Sequence, residues 1–227
     1  MLTVWSDYAC PFAFLGHLRL RTARPDGAGV EWRPFELHPE IPFGGVVRPR
    51  GGGRGLRALV EAEGVTLRAS DRVWNSRPAL QAAEIARGEG RFEVLHTRLF
   101  AGAWEEGLDL GRPEVLRDLV GEAGLDADAV IDAIRAGEGV DAIVSSIEEA
   151  FALGITGTPS YRIGGSVLRG VQEVEVLRGR GPISPRAVRC ARARARARRA
   201  RSASAASVRT PTGGGGRWVR PVRRHPP

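Results

Sequence analysis

The opening segment leaves this chain few folds to choose from. Leu2–Trp5 is a short apolar, β-prone run, and Val30-Glu31-Trp32-Arg33 alternates as a second strand that continues irregularly through Phe35 and Leu37. Between them, Pro11 to about Thr22 reads as a helix, with Phe14, Leu15, Leu18 and Thr22 on one face and Arg19 and Arg21 outward. Pro11 suits the first helical turn, where its missing N–H costs nothing. Arg24-Pro25-Asp26-Gly27 is a turn. Two strands joined through a helix cannot close as a hairpin, so the unit is β-α-β and its strands pair in parallel.

The rest of the chain adds helices and one hairpin. From Ile41 to Gly55, six Gly and two Pro predict a mobile loop. Helical patterns follow at Leu56–Glu63, Pro78–Gly88, Phe92–Trp104, Pro113–Ala123, Asp128–Ala136 and Val140–Leu153. The last shows its period best: Val140, Ile143, Val144, Ile147 and Phe151 share one face, and Gly154 closes it. Ser160–Ile163 and Ser166–Arg169, joined by Gly164-Gly165, predict a two-residue hairpin. A final helix is expected near Gln172, with Val174, Val176 and Leu177, cut short at Gly179. The fold class is therefore α/β.

The chemistry centres on Cys10. It follows a strand, stands beside Pro11 and opens the first helical pattern. A thiol at a helix N-terminus feels the positive end of the macrodipole, so the sequence predicts a favoured thiolate, nucleophilic near neutral pH. The competing reading is an inert thiol packed as a small apolar group. Cys10-Pro11-Phe12-Ala13 has the form of a redox CxxC lacking its second sulfur, so whatever Cys10 attacks must be released by another thiol. Asp7 is placed to cap the helix or to tune the thiol. His17, two turns further along, is too far for an ion pair and reads as structural.

Charge excludes some functions. The formal net charge is +8, yet all 26 acidic residues lie between Asp7 and Glu175. Residues 1–178 carry 20 Arg and a net −6, while residues 179–227 carry 14 Arg and no acid. The basic tail, with Ala and Arg alternating from Ala191 to Arg201, has too little apolar content to fold and is predicted to be disordered. It can neutralise phosphates but has no interleaved aromatics to read bases, so specific nucleic-acid contact is not expected. The chain lacks Lys altogether, as a GC-rich gene favours, and the abrupt switch also fits a frame shift near residue 179. Cys10 and Cys190 cannot build a disulfide framework, and the four His are scattered without metal-ligand spacing. No leader pattern and no membrane-length apolar run is read, so a cytoplasmic location is expected.

Several segments together resemble the DsbA family of thioredoxin-fold proteins, in particular its FrnE-like branch. Cys10-Pro11-Phe12-Ala13-Phe14-Leu15-Gly16 is similar to that family's CPWCYLG-type active site. Trp32 to Pro39, Asn75-Ser76, Gly157-Thr158-Pro159-Ser160-Tyr161 and Gly170-Val171-Gln172 resemble further family segments. The resemblance covers residues 1–178. It implies a thioredoxin fold, β-α-β then β-β-α, with an inserted all-helical domain. The parts would be residues 1–40, an insertion at 41–139, a return at 140–178, and the tail at 179–227.

It also implies a cis peptide before Pro159, which composition alone would not suggest because only about 5–6% of X–Pro bonds in folded proteins are cis. Cys10 is the implied catalytic residue. Pro11, Phe12, Ala13, Thr158, Pro159, Asn75 and Gln172 are implied to contact substrate or thiol; for Asn75, capping the following helix is the competing role. The expected activity is thiol–disulfide exchange by a single cysteine on a disulfide-containing protein or a small thiol substrate. No cofactor is tightly bound; glutathione or an equivalent low-molecular-weight thiol is the co-substrate. A homodimer is compatible with this reading. The related 2-hydroxychromene-2-carboxylate isomerases and kappa-class glutathione transferases typically carry Ser where this chain has Cys10. That leaves two rivals: a glutathione-dependent isomerase or transferase, and a redox-inactive binding scaffold.

Overall fold

The structure is a computed structural model that describes residues 1–24, 29–47 and 54–179. Four strands form the central sheet: β1 (Leu2–Ser6), β2 (Val30–Pro34), β5 (Ser160–Ile163) and β6 (Ser166–Arg169), in the order β2-β1-β5-β6. β1 pairs in parallel with β2, Val4 opposite Trp32, and antiparallel with β5, Val4 opposite Tyr161. With neighbours on both edges, β1 is buried at all five positions. Its side chains alternate between two cores: Leu2 and Val4 join the cluster that holds α1 (Pro11–Ala23), and Trp5 joins Phe35, Ala150 and Ile155 under α7 (Val140–Ala152). This alternation is the period-2 rule acting in a strand covered on both faces.

The β5–β6 turn is the hairpin the sequence predicts. Gly164 and Gly165 both take positive φ, 52° and 84°, as a tight two-residue connection requires.

Between β2 and α7 the chain forms α2 (Arg54–Glu61), α3 (Arg77–Gly88), α4 (Phe92–Ala101), α5 (Pro113–Glu122) and α6 (Ala127–Arg135). A two-stranded ribbon, β3 (Val46–Val47) against β4 (Arg72–Val73), is an addition to the sequence reading. Two residues per strand give too short a pattern to stand out among the surrounding glycines. The expected helix Phe92–Trp104 also divides. Its end, Gly102–Glu106, widens into a π turn that Gly107, at φ 76°, terminates.

The apolar stripe expected on α7 is corrected. Val144 and Phe151 are 46% and 58% exposed, and the buried face runs through Ile143, Ser146 and Ala150. The helix is turned this way because Ser146 Oγ donates to the Pro34 carbonyl (2.7 Å) and the Ser146 carbonyl accepts from the Trp5 indole (3.2 Å). Those two hydrogen bonds and the small Ala150 side chain bring the helix close to the sheet. After β6 comes α8 (Val174–Leu177), four residues long, which packs on α1 through the fully buried Leu177. Cys190, the Arg-rich tail and the expected frame shift lie outside the described residues.

Candidate active site

Cys10 is the residue immediately before α1, with extended backbone angles (φ −95°, ψ 113°), and among the described residues no side chain caps that helix. The turn delivering it, Asp7–Cys10, is tied at every residue. Asp7 Oδ1 accepts from the Ala9 N–H (2.9 Å), Asp7 Oδ2 from the Leu37 N–H (2.7 Å), and the Asp7 carbonyl from the Cys10 N–H (3.1 Å). The Tyr8 carbonyl accepts from the Trp104 indole N–H (2.8 Å), and the Tyr8 hydroxyl meets His96 Nδ1 at 2.8 Å. Asp7 thus braces the turn and the chain just beyond β2 and does not cap α1, a correction to the sequence expectation.

The Thr158–Pro159 peptide is cis, and the Cys10 thiol donates to the Thr158 carbonyl at 3.5 Å. Two segments 148 residues apart in sequence therefore meet at the sulfur. Gly16, one turn beyond Ala13, permits their approach: a Cβ there would run into the Tyr161 hydroxyl and lie 3.2 Å from Pro159 Cγ.

The electrostatics differ from the sequence prediction. Cys10 is 4% exposed. Burial pushes its thiol pKa up; the Thr158 side chain and the Ala13 N–H favour the anion, the charge of Asp7 disfavours it, and the Phe12 N–H adds a smaller stabilising contact. Desolvation outweighs the helix terminus, so the resting sulfur is a shielded thiol, not the exposed thiolate that its position suggested. Behind it, Asp7 is pushed up to about 6, chiefly by burial; the Leu37 and Ala9 N–H groups and the Ser76 hydroxyl act against that, and the charge of Glu36 with it. Glu36, with its side chain 2% exposed, is held by a forked pair from Arg77 (3.0 Å to Oε2 from Nε, 2.6 Å from the terminal nitrogen). Asp7, Glu36, Ser76 and Arg77 form a polar layer that the sequence reading missed, except for a role for Asp7. No short spacing signals it, because its members are drawn from segments far apart in the chain.

The remaining candidates separate. Pro11 occupies the first helical position, Ala13 is buried, and Phe12 stands 48% exposed. Asn75 spends its amide internally: Nδ2 donates to the Ile41 carbonyl (2.6 Å) and Oδ1 accepts from the Arg77 N–H (2.9 Å), which is the bracing role set against ligand contact. Gln172 is similarly committed, its Nε2 donating to the carbonyls of Gly170 (2.9 Å) and Arg169 (3.2 Å). His17 is buried against Trp32, His96 and Phe100, and burial draws its pKa down to about 3. Among the described residues no group of His, Cys, Asp or Glu could hold a metal ion.

A cysteine at the start of the helix after the first strand of a four-stranded mixed sheet, facing a cis-prolyl loop, defines a thioredoxin-fold protein. The match to the DsbA-like thioredoxin domain extends over residues 1–180, and the chain belongs to that family. It is similar to the 2-hydroxychromene-2-carboxylate isomerase of Sphingobium xenophagum, 24% identical over 186 residues, covering 75% of this chain and 92% of that protein. Among solved structures, the probable DsbA oxidoreductase SCO1869 from Streptomyces coelicolor superposes with a TM-score of 0.69 at 27% identity, covering 81% of this chain and 92% of that one. The cytosolic disulfide reductase DsbM from Pseudomonas aeruginosa, solved with GSH, shares the fold at a TM-score of 0.55 and 19% identity, over 79% of this chain and 93% of that one. The relatives of this chain thus include thiol–disulfide oxidoreductases and an isomerase. No helix among the described residues is long and apolar enough to cross a membrane.

Proposed function

We propose that this protein is a cytoplasmic thiol–disulfide oxidoreductase that works through one sulfur. The Cys10 thiolate attacks one sulfur of a disulfide, either in a protein or in a mixed disulfide with a small thiol. A Cys10–substrate disulfide forms, and the other sulfur leaves as a thiolate. An external thiolate of the glutathione class then attacks the substrate sulfur of that bond. It carries the substrate away as a new mixed disulfide and returns Cys10 to its thiolate. Ala13 has no sulfur with which to make that second attack.

The observation that carries the reading is the meeting of Cys10 Sγ and the Thr158 carbonyl at 3.5 Å, beside the cis-prolyl bond and at the mouth of α1. The Thr158 main chain faces an extended partner beside Pro159, Phe12 supplies a half-exposed apolar contact, and Pro11 and Ala13 form the rest of the helix mouth. Since burial holds the thiol above its usual range, exchange should quicken as pH rises through and beyond the ordinary thiol region near ~8.5. Replacement by Cys10→Ser should abolish turnover of a glutathione mixed disulfide in the presence of reduced glutathione. Unchanged turnover would refute the mechanism.

The similarity to an isomerase supports one alternative, in which the site activates a bound glutathione and Cys10 never forms a bond. Glutathione binding and isomerisation of a 2-hydroxychromene-2-carboxylate, both retained in Cys10→Ser, would establish it.

A further inference from the structure

We propose that Trp104 is a positioning residue for Cys10, and that the π turn at Gly102–Glu106 exists to aim it. This rests on Cys10 being the reacting group of the exchange mechanism.

Trp104 is 2% exposed, and its indole N–H donates to the Tyr8 carbonyl at 2.8 Å, across 96 residues of sequence. Its own carbonyl accepts from the Arg68 N–H at 2.7 Å. The helical insertion therefore grips the Asp7–Cys10 turn at the residue next but one before the sulfur. A second tie from the same insertion, His96 to the Tyr8 hydroxyl, acts on the side chain, whereas Trp104 acts on the main chain. Fixing the Tyr8–Ala9 peptide fixes the plane from which the next two residues depart.

Helix α4 would carry Trp104 on a different heading if it continued with regular turns. A π turn inserts the equivalent of an extra residue and rotates the residues beyond it, and such turns gather at functional sites. Gly102 begins it, and a Cβ there would lie 3.1 Å from Leu119 Cδ1, so the close packing with α5 is part of the same construction. Loss of the indole N–H leaves the Tyr8 carbonyl buried without that donor, and the turn is expected to relax toward solvent. The sulfur then becomes more reachable and less aligned. These two consequences act in opposite directions on different reactions.

The test uses the full chain with Cys190→Ser, so that Cys10 is the sole thiol. In Trp104→Phe, alkylation of Cys10 by iodoacetamide should accelerate by about threefold or more, with its pH midpoint moving down toward the ordinary thiol value near ~8.5. Turnover of a glutathione mixed disulfide should fall about tenfold in kcat with KM little changed, because Trp104 does not touch substrate. Val130→Ala, a loss of buried volume in α6 of the same insertion, should leave both ratios near those of the parent. Should Trp104→Phe fail to fold, the sulfur-for-NH analogue β-(3-benzothienyl)alanine at position 104 keeps the ring volume and removes only the donor, and the same two shifts are expected. Alkylation rate and midpoint unchanged in a folded variant would reduce Trp104 to a packing residue and overturn the proposal. Altered alkylation in an enzyme whose exchange turnover never depended on Cys10 would instead refute the exchange mechanism and leave the positioning role standing.

Discussion

At the scale of single residues, burial decides the chemistry. Cys10 and Asp7 are both shifted up, and in each case desolvation is the largest cause. For Asp7 the consequence for stability runs opposite to that of a salt-bridged carboxylate. Its folded pKa, about 6, exceeds the unfolded value of 3.8, so the folded state binds the extra proton between those limits. Stability should therefore fall as pH rises from about 4 to about 6, with Asp7 contributing about 3 kcal/mol to that fall, and level off above it. Denaturant midpoints measured across this range for the parent and Asp7→Asn should diverge at the acid end and run parallel above pH 7. Curves parallel throughout would mean Asp7 titrates normally. Ala13 is the other residue with a direct test. Ala13→Cys would place a second sulfur one turn along α1, so dithiol-dependent reduction should rise by about tenfold or more. No gain would show that the surrounding site cannot support an internal resolving thiol.

Between elements, the contact that sets the site is α1 against β5. Gly16 and Tyr161 are matched: the tyrosine hydroxyl is fully buried, has no hydrogen-bond partner among the described residues, and occupies the space a Cβ at 16 would need. Gly16→Ala should gain up to ~1 kcal/mol of helix propensity yet lose more through the clash, for a net cost of about 1–3 kcal/mol. Tyr161→Phe removes an unpartnered hydroxyl and should be neutral or stabilising by about 1 kcal/mol. The double variant should recover what Gly16→Ala loses, and a double-mutant cycle showing simple additivity would contradict the match.

Neither partner advertises this pairing in the sequence. The strands and helices themselves were legible because each rests on local signals: the apolar run of Leu2–Trp5, Pro11 at a helix start, Gly164-Gly165 between two short strands. Cys10 stood out by its place after a strand and beside Pro11, and the cis bond at Thr158-Pro159 was legible through the resemblance. What stayed hidden depends on distant contacts. The facing of α7 follows from Ser146 bonding to Pro34, and the layer of Asp7, Glu36, Ser76 and Arg77 joins segments far apart in the chain. The raised Cys10 pKa reflects near-total burial that a helix-start pattern cannot reveal.

For the whole molecule, the sheet and the site depend on a closing helix with little capacity to stand alone. Four residues are far below the length at which an isolated helix persists in water, so α8 is held by what it touches. Leu177 is fully buried, its carbonyl accepts from Arg24 Nε (3.1 Å), and Arg178 reaches the Thr22 carbonyl (3.2 Å). These contacts fall on α1 and the residue that ends it, and the first residue of α1 follows Cys10. Arg19 adds a further link, bonding Glu63 at 2.8 Å and the Gln172 carbonyl at 3.1 Å. Leu177→Ala should therefore cost about 2–5 kcal/mol, a large share of the ~5–15 kcal/mol that holds a typical domain. The loss should be local before it is global: amide exchange should speed first in α8 and in the last turn of α1, while β1 and β5 keep their protection. If protection instead collapsed at equal rates in α8, α1 and β1, the closing helix would belong to the same cooperative unit as the central strand. The turn that carries Cys10 would then unfold with the helix that closes the sheet.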